Sequence, residues 1–234
     1  GEGEKDQAPM LFNGEKLGTG NGPGMDIAVD PIDGTRPLAH GLSNAIATVA
    51  LAPIGTMFNP GPFFYMMKMA VGPIARDVID IDAPIADNLA KVANAKGEKV
   101  EDLTAVVLDR PRHKTLINEI RQTGARIRLI PDGDVAGALM SAMPETDIDI
   151  LLGIGGTPEG VLAAAGMKCL GGNIMGKLYP TRPIELEHAE KIGLDINKPL
   201  TMDDLISSDD VFFAATGITS GDLLDGVSYF ANGA

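Results

Sequence analysis

Thr104-Ala-Val-Val-Leu108 is the stretch from which the rest of the chain can be read. Four of its five residues are apolar, and the run is too short for a helix. It reads as a strand buried on both faces. Residues 113–123 follow with Leu116, Ile117 and Ile120 on one side of a helical repeat and Gly124 just past its end. Residues 125–130 form a second strand, 135–143 a helix and 148–152 a third strand. An Ala-rich helix over 158–170 comes next, with Thr157 as its N-cap and Pro158 in its first position. Strand–helix alternation of this kind predicts an α/β fold with a largely parallel sheet.

Upstream, residues 25–29 and 45–51 read as strands, with loops rich in Gly and Pro around them at 18–24 and 59–62. A helix is predicted over 84–95, with Ile85, Leu89 and Val92 on one face. A last apolar run, 211–215, leads into Thr216-Gly-Ile-Thr219. The change of rhythm near Leu103 divides the chain into subdomains at 1–98 and 99–234.

An apolar fraction of 44% is ample for a core, and with aromatics at 4% that core must be aliphatic. The formal charge of −13 argues against nonspecific binding to nucleic acid or to anionic membranes. An anionic substrate would therefore need a local positive site. The single cysteine, Cys169, rules out a disulfide within the chain, and its apolar context predicts a buried thiol. No apolar run is long enough to span a membrane and no signal peptide is visible, so a cytoplasmic location is expected.

Chemistry concentrates where strands end, the place at which open α/β sheets bind ligands. Asp30-Pro-Ile-Asp33-Gly-Thr35 follows the first apolar run. Carboxylates are the hard ligands that Mg2+ and Mn2+ prefer, and Gly34 lets the chain bend so that Asp30 and Asp33 face one point. Thr35 would orient a water there. Taken alone, the six residues read equally as an acidic turn. Arg110 and Arg112 flank Pro111 and suit a phosphate clamp, or else are solvated helix-entry charges. Asp132 and Asp134 suit sugar hydroxyls, or Asp132 caps the next helix. Gly155-Gly156-Thr157 before a helix suits an anion cradle or a plain cap. Glu159 is a candidate metal ligand in a helical turn that favours acids anyway. His40, His113 and His188 show no metal-ligand spacing and read as ordinary polar residues. Walker-type and dinucleotide loops are absent.

The motif Asp30–Thr35 resembles the signature of the metal-dependent, lithium-sensitive sugar and inositol phosphatases. Gly1-Glu-Gly-Glu-Lys-Asp-Gln-Ala-Pro-Met10, Asp109-Arg-Pro-Arg-His113, Ile130-Pro-Asp-Gly-Asp-Val135, Gly153-Ile-Gly-Gly-Thr-Pro-Glu-Gly160 and Ala215-Thr-Gly-Ile-Thr-Ser-Gly-Asp222 are similar to bacterial class II fructose-1,6-bisphosphatases. The matches run in order from end to end. The resemblance implies a layered α-β-α-β-α fold, with metal and catalytic residues in the first subdomain and substrate phosphate in the second. It implies Glu2, Asp30, Ile32 (through its carbonyl), Asp33 and Glu159 as ligands of Mg2+ or Mn2+, with Asp6 in support. Thr35 would help activate the water that attacks the 1-phosphate. Tyr65, Arg110 and Arg112 would bind the 6-phosphate, and Asp132, Asp134, Gly155, Gly156 and Thr157 the sugar and its substituents. The implied reaction yields fructose 6-phosphate in gluconeogenesis, with sedoheptulose 1,7-bisphosphate a further substrate of some relatives. A homo-oligomer, dimer or tetramer, is expected. A noncatalytic sugar-phosphate sensor and an inositol monophosphatase are the alternatives.

Three departures from the family pattern are expected to reflect a trimmed chain. A natural N-terminal segment with an active-site lysine and aspartate would precede Gly1. The charged loop near 179–192 is short, and the chain stops at Ala234 before the family's final strands.

Overall fold

Two sheets, at different depths of one layered structure, position the described candidate site residues. The computed structural model describes residues 10–12, 14–231 and 233. Its strands are β1 Met25–Asp33, β2 Ile46–Pro53, β3 Tyr65–Val71, β4 Thr104–Leu108, β5 Arg126–Ile130, β6 Ile150–Gly156, β7 Asn173–Leu178 and β8 Phe212–Gly217. Its helices are α1 Thr35–Ala39, α2 Ile85–Lys96, α3 Lys114–Thr123, α4 Asp134–Met140, α5 Thr157–Cys169, α6 Pro183–Ile192 and α7 Met202–Leu205.

The smaller sheet is antiparallel in the order β1-β2-β8, and the larger is ordered β5-β4-β6-β3-β7. In the larger sheet β4 pairs in parallel with β5 and β6, while β3 runs antiparallel to β6 and β7. Four strands therefore point one way and β3 alone opposes them, close to the largely parallel sheet expected.

Alternation of side chains along the strands builds the layers. On one face of the larger sheet Met69, Val71, Val107 and Leu152 pack with Leu89 and Val92 of α2 and Ile117 and Ile120 of α3. On the other face Met66, Ala70, Val106 and Leu151 meet Val135 and Leu139 of α4 and the Ala-rich side of α5. The far side of α5 packs on β1, β2 and β8. Small residues let α5 lie close to both sheets: a Cβ on Gly160 would collide with Met66 of β3, and one on Gly166 would crowd Phe213 of β8. The order among the described residues is thus α-β-α-β, four of the five expected layers.

Sheet membership does not follow the division at residue 98. Strand β8, from the C-terminal end, completes the N-terminal sheet, and β3, from the first half, lies inside the larger one. Strand β1 runs on through Asp33, and β6 runs on through Gly156, so the glycines at 153–156 are strand rather than loop. Helix α5 begins at Thr157 and is capped by Gly156, without a side-chain cap. The thiol expected to be buried is exposed: Cys169 is the last residue of α5, where the helix has emerged from between the sheets.

Strand β3 begins at the site and is pinned at that end by Glu185 of α6. This carboxylate is fully buried. It accepts hydrogen bonds from the backbone N–H groups of Phe64 (3.1 Å), Thr181 (2.6 Å) and Arg182 (2.8 Å), and pairs with the Arg182 guanidinium at 2.9 Å. Burial pushes the Glu185 carboxyl up, but these donors outweigh it and hold it below its ordinary value. A lowered carboxyl stabilises the fold above the ordinary carboxylate range and loses that contribution as the pH falls through it. Glu185→Gln is expected to cost about 2 kcal/mol at pH 7. The gap from the parent should narrow below about pH 4, as urea unfolding at the two pH values will show.

Candidate active site

A single extra residue in β1 creates the acidic centre. Asp30 pairs with Thr48 of β2 and Asp33 with Ile46, so β1 takes three steps where β2 takes two. In a regular strand residues three apart point to opposite faces. The bulge at Pro31 and Ile32 restores parity and turns both aspartates to the buried side, each 4% exposed. Pro31 fits because a bulge has no ladder donor to lose. Within the bulge the Ile32 N–H donates to Asp30 Oδ1 at 3.0 Å. Gly34 then takes a left-handed conformation (φ 95) that starts α1 and sets Thr35 at its first position.

Asp33 Oδ2 accepts the Ala136 N–H at 2.9 Å, reaching the first turn of α4. Its carboxyl is nevertheless pushed well above the ordinary value, first by burial, then by the charges of Asp134 and Asp30, with Glu159 adding to them. Four acids from β1, α4 and α5 therefore share one field. Asp134 opens α4 and its Oδ2 lies 2.5 Å from Nζ of Lys68, a residue of β3 that is 2% exposed. The same Nζ donates to the Gly156 carbonyl at 2.9 Å. A Cβ on Gly155 would strike the Asp134 carboxylate, and one on Gly156 the Glu159 carboxylate. The two glycines thus give room to acids on the side where a Cβ would stand. Thr157 is fully buried, and its Oγ1 has no hydrogen-bond partner among the described residues.

Beside the acids lies a positive cluster. Arg110 and Arg112 bracket Pro111 in a short 3-10 turn after β4. The Arg112 guanidinium donates to the Ile154 carbonyl at 3.0 and 2.7 Å and lies 4.8 Å from the centre of the Tyr65 ring. Burial lowers the Arg110 guanidinium, and the next influence is Arg36 of α1, a third arginine in the group. Asp132 joins the two halves. Its carboxylate accepts from the Thr35 hydroxyl at 3.2 Å and the Arg36 N–H at 3.5 Å, and it pairs with Arg110 at 3.3 Å. The expected alternative for Asp132 does not hold, because α4 is capped by Gly133 with no side-chain cap.

The described candidates at the ends of β1, β4, β5 and β6, with Tyr65 at the start of β3, therefore lie at one end of the larger sheet, against the bulge of the smaller one. The chain matches, over residues 1–234, the family model for bacterial fructose-1,6-bisphosphatase, glpX-encoded. It belongs to that family. It is 45% identical to fructose-1,6-bisphosphatase 1 class 2 of Escherichia coli strain K12 over 245 residues, covering 99% of this chain and 73% of the relative. The class 2 fructose-1,6-bisphosphatase of Shigella flexneri matches with the same identity and coverage. Members of the fructose-1,6-bisphosphatase family are metal-dependent phosphatases.

The residues present fit such an ion in kind. The donors are hard carboxylate oxygens, and the upward push on Asp33 marks negative charge that a cation would relieve. Among the described residues no three His, Cys, Asp or Glu side chains close on one point. Glu2 and Asp6, the further candidates, lie outside the described residues. Sequence reasoning missed Lys68 and Arg36. The signal for Lys68 was a lysine inside the apolar run Tyr65-Met-Met-Lys-Met-Ala-Val71, and for Arg36 its place directly after Thr35.

The glycines separate two costs. Gly156 has φ −65 and ψ 141, which alanine adopts freely, so Gly156→Ala needs only the half-buried Glu159 carboxylate to move. Its metal-free stability should stay within about 1 kcal/mol of the parent, while the rise in melting temperature on adding Mn2+ shrinks. Gly155→Ala must displace a carboxylate from a buried ion pair, and is expected to lose about 3 kcal/mol with or without the ion. Thermal and urea unfolding of the two variants will distinguish them.

Proposed function

We propose that the chain hydrolyses the 1-phosphate of fructose 1,6-bisphosphate, giving fructose 6-phosphate and phosphate for gluconeogenesis, with Mg2+ or Mn2+ as the ion. The observation that carries this reading is the pairing of an acidic centre with an arginine cluster through one carboxylate, Asp132. A sugar bisphosphate carries two phosphates, and the two poles suit one each. Sedoheptulose 1,7-bisphosphate, with the same pair of end groups, is the second substrate of this reading.

Arg110 and Arg112 would hold the 6-phosphate, with the Tyr65 ring fixing the plane of Arg112. Binding there aligns the distant phosphate for reaction. Asp134, Gly155, Gly156 and Thr157 would line the sugar, and the orphaned Thr157 hydroxyl is a group that gains a partner. Asp30, Asp33, Glu159, the Ile32 carbonyl and Glu2 would hold the cation, with Asp6 in support. When bound, a divalent ion supplies Lewis acidity and offsets charge on the scissile phosphate. Asp132 holds the Thr35 hydroxyl, and that hydroxyl positions the attacking water. A neighbouring carboxylate, Asp30 or Asp33, takes the proton that the water loses.

A cytoplasmic homo-oligomer, dimer or tetramer, completes the reading. No helix among the described residues is long and apolar enough to cross a membrane. Ile27, Leu51 and Phe212 stand in register across the outer face of the smaller sheet, with Ile27 and Phe212 exposed, and offer an apolar row to a second copy.

Phosphate release from fructose 1,6-bisphosphate with Mn2+ tests the function. Asp30→Ala should lose at least about 100-fold in kcat. Arg112→Ala should raise KM about 10-fold or more, as expected for a lost charged hydrogen bond. Failure of the parent protein to release phosphate in the presence of Mn2+, or an Asp30→Ala variant with full activity, would remove the proposal.

A further inference from the structure

We infer that Lys68 is a positioning residue that sets the affinity of the acidic centre for its divalent cation. The inference rests on the proposed metal site and names a residue outside it. Alternation along β3 puts Lys68 on the same face as Met66 and Ala70, toward α4 and α5. A lysine there would be costly in an apolar core, and its side chain is 1% exposed. The fold keeps it by ending its side chain against one counter-charge and one acceptor. One is Asp134 Oδ2 at 2.5 Å, and the other is the Gly156 carbonyl at 2.9 Å.

Both partners lead to the acids. Asp134 is the largest charge acting on Asp33. Gly156 caps α5, and the Glu159 carboxylate rests against it in the helix's first turn. One ammonium therefore fixes the charge beside Asp33 and the peptide that seats Glu159. Gly160 shows the same fit from above, since a Cβ there would lie 3.3 Å from Lys68 Cδ and strike Met66. The side chain is clamped along its length, so its head is not free to follow the acids if they move. The partners of metal ligands typically govern affinity by about 10- to 100-fold.

Lys68→Met alone would leave Asp134 buried without a counter-charge and could unfold the protein. The test therefore compares Asp134→Asn, in which the Lys68 ammonium keeps the Gly156 carbonyl and an amide oxygen as acceptors, with the double variant Lys68→Met/Asp134→Asn, which leaves no buried charge on either residue. Mn2+ binding to the metal-free full chain is measured by titration calorimetry, and urea unfolding is followed without metal. The double variant is expected to bind Mn2+ about 10-fold or more weakly than Asp134→Asn. A folded double variant that binds Mn2+ as tightly as Asp134→Asn, even with a lowered urea midpoint, overturns the inference and leaves Lys68 only structural. That result is separate from the failure of the proposed function, in which the parent binds Mn2+ and releases no phosphate.

Discussion

Negative charge held in a small buried volume is the constraint on which the rest of this structure depends. Asp33 feels Asp134, Asp30 and Glu159 at once, and its carboxyl is pushed up accordingly. An arrangement of this kind opposes folding, because buried like charges neither solvate nor screen. The chain answers with a fixed donor, the Ala136 N–H on Asp33, and a fixed counter-charge, the Lys68 ammonium beside Asp134. A cation held among these acids would offset the same charge. Stability and ion binding are therefore linked through the same side chains, as they are wherever a site is built from mutually repelling groups.

The geometry that gathers the acids comes from irregularities in otherwise ordinary strands. The bulge in β1 converts a spacing of three into a shared face. The glycines at 155 and 156 remove the Cβ atoms that would occupy the space of two carboxylates. Asp132, 97 residues from Thr35 in sequence, then ties α1 to the arginine turn. Each device is local, yet together they hold residues from five segments in one place.

This explains what was legible in the sequence. Thr104–Leu108 was read to the residue because a continuous apolar run bounded by charge has one interpretation in a layered fold. Arg126–Ile130, α3 and α5 followed within a few residues. Strands β3 and β7 were not seen, because Tyr65–Val71 carries a lysine and few β-branched residues and Asn173–Leu178 carries Gly176 and Lys177. Both are stabilised by pairing with neighbours distant in the chain, which local propensity does not register. At the site, residue types and strand ends identified the acids and arginines. Their pairing did not follow from spacing: Asp132 reads as a cap until α1 is seen beside it, and Lys68 is visible as functional only once β3 is placed under α4.

The arginine side depends on a further irregularity, the divergence of β4 from β6. The two strands pair in register at Ala105 with Ile150 and Val106 with Leu151, and no further. Separation of strands at their carboxyl ends opens the crevice in which such sheets bind ligands, but it orphans backbone groups. His113 fills the gap. Its Nδ1 lies 2.7 Å from the Leu108 carbonyl, and its Nε2 lies 2.7 Å from the Ile154 N–H. A carbonyl only accepts and an N–H only donates, so the ring must carry its proton on Nδ1 and be neutral. Burial, with Arg112 beside it, holds the imidazole below its ordinary pKa and keeps it in that form. Gly153, at φ 143, gives the ring its room. The Ile154 carbonyl is left to Arg112, which it aligns over Tyr65. The histidine therefore bears no metal and touches no phosphate. It converts the cost of opening the sheet into the hydrogen bonds that orient the guanidinium.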